Sequence, residues 1–295
     1  MKAHTDFAAC LGVSAVPLVA ASVGLFRFFT VQTAGVDMTP LSGACRLAYR
    51  QSMDVTGHIG LVAFSVLLLF LFVRSVSALW RGWRETRRIS CLTPWRSDSL
   101  PRRKIEEFAR NSRLGLRFRF VEAGEPIAVT VGYWSPQIIL SSGLLEVLDE
   151  AELEAVIRHE AAHVASRDPL RTLIADCCRT ALPFIPAVSF LVDRFRTRKE
   201  LEADVAAIES MGTRLPLASA LAKILATMPA KAPIGVGLSP TEARIDALLG
   251  KPIPESSAKA AGVMATSIPA LAALSAGLYL IASSPHITTL HVCPS

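Results

Sequence analysis

Charged residues are scarce. Only 19% of the 295 residues are Asp, Glu, Lys or Arg, against 51% apolar, and the mean hydropathy is +0.41. A soluble globular domain carries about 25% charge. The shortfall argues against a wholly soluble chain and for membrane spans joined to a smaller polar domain. Paired cysteines are also lacking. The six are Cys10, Cys45, Cys91, Cys177, Cys178 and Cys293, and none forms a CxxC zinc or redox clip. Cys177 and Cys178 are adjacent, so on a helix they point in different directions. The formal charge of +6 is local. It reads as anchoring of loops beside a membrane rather than as a nucleic-acid surface.

Long apolar runs are what the chain does have. Phe7 to Val31 is long enough to span a bilayer. It is longer than a signal-peptide core and shows no convincing cleavage site, so it reads as an uncleaved anchor. Thr56 to Trp80 is the strongest span, with Trp80 and Trp83 suited to the interface. Leu170 to Phe195 and Gly262 to Ser284 are further candidates. Between Arg81 and Lys104 lie eight basic and two acidic residues. The positive-inside rule places that segment in the cytoplasm.

The expected organisation follows. Residues 1–33 hold a first transmembrane helix, 34–55 an external loop and 56–80 a second span. Residues 81–250 form a cytoplasmic-facing domain, 251–261 a linker, 262–284 a last span and 285–295 a short external tail. Cys45 and Cys293 share the oxidising side, where a disulfide could form. The fold class is a mainly α-helical integral membrane protein with an α+β domain holding a small β-sheet.

The polar middle is where chemistry can sit. Leu100 to Gly115 looks helical, and "LRFRFVEAG" alternates like a strand. A second strand begins near Ile127, a turn falls at Ser135-Pro136, and Gln137 to Leu140 forms a short strand read as a candidate edge for an extended substrate. Gly132 and the Ser141-Ser142-Gly143 turn are places where backbone approaches closely. A longer helix begins at Asp149, with Glu152 completing a capping box.

On that helix Leu153, Val156, Ile157 and Val164 make the apolar stripe. His159 and His163, four residues apart, share a neighbouring face and can reach one cation. Glu160 lies next to them. It is placed to take a proton from a metal-activated water and pass it to a leaving amine. In "RFRTRKELEADVAAIES" three acids compete for the third ligand position. Glu200 and Asp204 share a face; Glu202 points elsewhere. The consistent assignment makes Glu200 the ligand and Asp204 the partner of the other nitrogen of His159. Glu202 is the alternative. His4, His286 and His291 show no ligand partner, and His58, at the start of the second span, reads as an interface polar group.

The stretch Val129 to Leu170 followed by "RKELEADVAAI" resembles the BlaR1/MecR1-type membrane metallopeptidases of family M56. These are gluzincins related to the HtpX/Ste24 family, M48. Residues Ser239 to Gly250 resemble a stretch that closes the protease domain in both. The resemblance implies one zinc ion on His159, His163 and Glu200, with Glu160 as the base and Asp204 as the supporting aspartate. It implies a membrane-bound zinc endopeptidase acting on a protein or peptide substrate, which in the regulators is a transcriptional repressor. Quality control of membrane proteins, as in M48, is the alternative. A scaffold or receptor with a structural metal is the non-enzyme rival, against which Glu160 speaks. No direct nucleic-acid contact is expected. The antibiotic sensors carry a large penicillin-binding domain after their final span; sensing through such a domain is not expected of this sequence.

One constraint is geometric. If Glu200 and the histidines bind one ion, a single crossing by Leu170 to Phe195 would separate them. That segment must turn back as a hairpin, re-entrant or lying at the interface, and Pro183 and Pro186 sit where a turn would fall. An ordinary spanning helix there excludes the zinc site.

Overall fold

The structure is a computed structural model that describes residues 2–33, most of 69–95, 115–227, 240–251 and 260–272, with isolated positions between them. The order is α1 (Lys2–Thr33), β1 (Phe118–Val121), β2 (Ala128–Val131), β3 (Gln137–Ser141), α2 (Ser142–Val147), α3 (Glu150–Ala165), α4 (Asp168–Ala181), α5 (Pro186–Met211), α6 (Leu215–Thr227) and α7 (Pro240–Leu248). Residues 69–84 and 86–89 are also helical. The chain divides into two compact units. One comprises Met1–Ala8, Ala78–Cys177 and Leu191–Ser256; the other comprises Ala9–Ser77, Cys178–Phe190 and Ser257–Ser295.

The first unit is built on a three-stranded sheet in the order β1-β3-β2. β3 pairs parallel with β1, Phe118 opposite Ile138, and antiparallel with β2, Thr130 opposite Ile138. Successive side chains of a strand point to opposite faces. Ile138 and Leu140 therefore enter one apolar cluster with Phe120 and with Leu153, Val156 and Ile157 of α3. Ile139 enters another with Val121, Val131, Ile89 and Leu92. Ala155, Ala207, Leu217 and Leu248 pack together and join α3, α5 and α6 to the end of α7.

The expectation that Gln137 to Leu140 is an open edge is wrong: β3 is the central strand. A run of fully buried Ile138, Ile139 and Leu140 marks a strand covered on both faces. The β1 edge is occupied, because Pro94 bridges Val121 and Trp95 N–H donates to Phe120 O at 3.1 Å. Among the described residues nothing pairs with the outer edge of β2.

Local chemistry sets the ends of α2 and α3. The Ser141 side chain caps α2, accepting from Leu144 N–H. Asp149 and Glu152 form the reciprocal capping box at the start of α3, at 2.9 Å in both directions. Two glycines are required by close approaches within the fold. Gly132 has φ +100 in the β2–β3 turn, where a side chain would strike Ser135 O. A Cβ on Gly143 would lie 2.2 Å from Gly124 O.

Between α4 and α5 the chain breaks at residues 182–185, with Pro186 opening α5. Proline suits a helix's first turn, where its missing N–H costs nothing. Within the first unit an Arg196 Nη2 to Asp176 Oδ1 ion pair brings the two helices alongside each other. Leu170 to Phe195 is thus two helical pieces and a turn, not one helix. In the second unit, Ala187 N–H donates to Ser267 Oγ at 2.8 Å and Arg74 Nε to Thr180 O at 2.8 Å.

Among the described residues no helix is long and apolar enough to cross a membrane. α1 covers the first candidate span and carries Lys2, Asp6 and Arg27. The 34–55 loop, the 285–295 tail, Cys45, Cys91 and Cys293, and parts of the 56–80, 81–104, 251–261 and 262–284 segments lie outside the described residues. Of the helix expected from Leu100 to Gly115, only Arg103, Ile105 and Glu107 are described as helical.

Candidate metal centre

α3 carries His159, Glu160 and His163 into the interior of the first unit, each under 10% exposed. The two histidines are one helical turn apart, so their side chains lie on one face, with Glu160 next to His159 in the chain. His159 Nε2 and His163 Nε2 are 3.2 Å apart. Glu200 Oε2, from α5, lies 3.5 Å from the first and 3.7 Å from the second. Among the described residues these three side chains form a group that could hold a metal ion.

The triangle matches what a small divalent ion demands. Donors about 2.0–2.2 Å from a tetrahedral zinc stand about 3.3–3.5 Å from one another. Three bonds from protein would leave a fourth position for water or substrate. The electrostatics agree. Burial pushes the His163 imidazole down, but the Asp168 and Glu200 carboxylates and the charge of Glu160 lift it to about 9. Burial likewise opposes charge on His159, and Asp204 and Glu200 overcome it so that its pKa is raised. Burial pushes the Glu200 carboxyl up; the two histidines, with Lys199 beside it, hold it far below the usual carboxylate range. The protein has gathered negative charge around two imidazoles, so the site favours positive charge, which a dication would supply.

Each histidine has a carboxylate behind it. His163 Nδ1 lies 2.7 Å from Asp168 Oδ2. His159 Nδ1 lies 2.8 Å from Asp204 Oδ1. This second contact is close, yet the carboxylate oxygen sits off the ring N–H direction and makes no aligned hydrogen bond. Asp204 is held in turn by Arg244 of α7, whose Nε donates to Oδ2 at 2.9 Å and whose Nη2 donates to Oδ1 at 2.8 Å. Glu202 is turned away: its Oε1 accepts from Ala3 N–H at 3.0 Å. Glu160 Oε2 accepts from Thr130 Oγ1 of β2 at 2.7 Å, so the strand beside α3 holds the acid next to the triangle.

Sequence reasoning named His159, Glu160, His163, Glu200 and Asp204, and the structure brings all five together. It missed Asp168, Thr130 and Arg244. Asp168 left one signal, an acid five residues after His163 in "HVASRD". Arg167 adopts φ 52, a left-handed turn that ends α3 and brings Asp168 back to the histidine. Arg171 stands 3.7 Å from Asp168 Oδ1 and also contacts the ring of His4. Thr130 and Arg244 left no local signal, being 30 and 40 residues from their partners.

Residues 101–266 match the model of peptidase family M48. The HtpX protease homologue of Leptothrix cholodnii is 27% identical over 171 residues, covering 45% of this chain and 59% of that protein. The homologue of Variovorax paradoxus is 35% identical over 98 residues, covering 32% of this chain and 34% of its own. The chain spans 59% and 60% of the length of the first two curated relatives it matches. A crystal structure of Ste24p from S. mikatae aligns with a TM-score of 0.36 at 14% identity, covering 60% of this chain and 58% of that one.

Proposed function

The chain belongs to peptidase family M48, whose members are zinc-dependent metalloproteases, and from that premise we propose that it is a membrane-bound zinc endopeptidase. One observation carries the reading: His159 Nε2, His163 Nε2 and Glu200 Oε2 enclose a zinc-sized triangle, with the Glu160 carboxylate beside it. A structural site has no need of that further carboxylate.

His159, His163 and Glu200 would hold the ion. Zinc, when bound, supplies Lewis acidity that lowers the pKa of water and polarises a peptide carbonyl. The chain's own groups do the rest. Glu160 takes the proton of the attacking water at its carboxylate and delivers it to the leaving amine. Thr130 keeps that carboxylate aimed. Asp168 and Asp204 orient the two imidazoles from behind. An extended polypeptide would pair with the open edge of β2, backbone to backbone, which gives affinity with little side-chain selectivity.

For the substrate, we favour membrane proteins under quality control. The support is the run of HtpX protease relatives. The basic segment Arg81 to Lys104 supports a site on the cytoplasmic side. Cleavage of a transcriptional repressor, implied by the likeness to family M56, competes for the same side.

The decisive experiment pairs metal content with cleavage of an unfolded reporter protein. Wild type should hold about one zinc, Glu160→Gln should keep it, and the variant's cleavage should fall by about 10²–10⁴. Undiminished cleavage by Glu160→Gln would refute the mechanism. Full zinc retention by Glu200→Ala would remove the third ligand from the assignment.

A further inference from the structure

Arg244, on α7, reaches Asp204 and approaches Glu200, both on α5. We propose that Arg244 is a positioning residue for the metal ligand His159, acting through the carboxylate of Asp204.

The geometry is specific to this role. Asp204 has two oxygens. Oδ1 faces both His159 Nδ1 at 2.8 Å and Arg244 Nη2 at 2.8 Å; Oδ2 takes Arg244 Nε at 2.9 Å. The guanidinium grips the carboxylate side-on with two parallel donors, the arrangement that fixes its plane as well as its place. The Asp204 side chain is 4% exposed and that of Arg244 16%, so water does little to loosen the pair. The His159–Asp204 contact is close but not an aligned hydrogen bond, so the aligned hydrogen bonds that fix the Asp204 carboxylate are the two from Arg244. Released from Arg244, Asp204 could rotate about its Cβ–Cγ bond and carry Oδ1 away from the ring. His159 would lose the group that sets which nitrogen bears the proton, and Nε2 would no longer be held free for a metal.

A second contact has the same direction. Arg244 Nη1 is 3.6 Å from Glu200 Oε2. One guanidinium thus touches Asp204 and stands beside Glu200, the two acids of α5 that face the histidines. Arginine suits both contacts. A lysine ammonium would supply the charge without the planar fork.

The test uses the full chain in detergent, with zinc affinity from competition against a chromophoric chelator and the absorption spectrum of the cobalt-substituted protein. Arg244→Gln and Arg244→Lys should each weaken zinc about 10- to 100-fold and shift the cobalt bands. Metal-free helix content should not change. Because Arg244 acts through Asp204, adding Arg244→Gln to Asp204→Asn should cost less than about threefold more. Wild-type affinity in Arg244→Lys would overturn the proposal, since charge alone would then suffice. Fully multiplicative losses in the double variant would overturn it too. Should Arg244→Gln not fold, Arg244→Lys keeps the charge and still decides the matter. The proposal rests on the metal reading, and the two fail separately. Wild type that takes up no zinc sinks that reading, whereas equal zinc binding by wild type and both variants sinks this one alone.

Discussion

His163 Nδ1 and Asp168 Oδ2 are 2.7 Å apart, both buried, and only five residues separate them in the chain. A helix cannot bring such a pair together by itself, since positions three and four apart are the neighbours on its surface. The left-handed Arg167 ends α3 and returns the chain so that Asp168 opens α4 against the end of the helix just left. The carboxylate behind this candidate ligand thus comes from the turn linking α3 to α4.

Asp168→Asn should therefore weaken zinc binding about tenfold or more, because the amide can no longer serve as an ionised acceptor for the His163 N–H. Isothermal titration or chelator competition would measure it. Unchanged affinity would show that the pair only packs the turn.

Thr130→Val keeps the strand and its shape but removes the hydroxyl that reaches Glu160 Oε2. A hydrogen bond to a charged group is worth about 1.5–3 kcal/mol, so kcat should fall about tenfold or more. Zinc content should stay at the wild-type level. A variant that lost zinc as well would place Thr130 in the scaffold instead.

The metal-free protein should respond to alkali in a definite direction. Folded His163 titrates near 9, above its unfolded value of 6.5. Its contribution to stability is fully present below about pH 6.5 and is lost as pH rises through about 9, an effect of order 3 kcal/mol at most. Thermal melts of chelator-treated protein should show Tm falling across that window. Saturating zinc should cancel the trend, because metal binding needs the neutral imidazole. The same logic makes apparent zinc affinity fall as pH drops below 9, since a proton must leave His163 first. A flat Tm profile in the metal-free protein would contradict the charge balance described for the site.

Gly143→Ala should be strongly destabilising. The added Cβ would sit 2.2 Å from Gly124 O and 3.0 Å from Ala123 O, both rigid backbone. Overpacking of this kind costs about 1–3 kcal/mol or more. Chemical denaturation would read it, and a neutral result would mean that the 123–124 segment can move aside.

Local features were legible in the amino-acid sequence because their physics is local. The four-residue spacing of His159 and His163, the Asp149–Glu152 capping box, and the shared face of Glu200 and Asp204 all follow from helix geometry. They require knowledge of only a few neighbouring residues. Even the choice of Glu200 over Glu202 came from a 100° rotation per residue.

The tertiary structure alone decided what depends on contacts between distant segments. Sheet order is one case: β3 looked like an edge, but parallel pairing with β1 and antiparallel pairing with β2 place it at the centre. That leaves the Thr130 strand as the open edge beside Glu160. Arg244 is another, an ordinary basic residue of a short helix until folding sets it 2.8 Å from Asp204. Periodicity reports which face of an element is apolar. It does not report which element that face will meet, because that is settled by the packing free energy of the whole core.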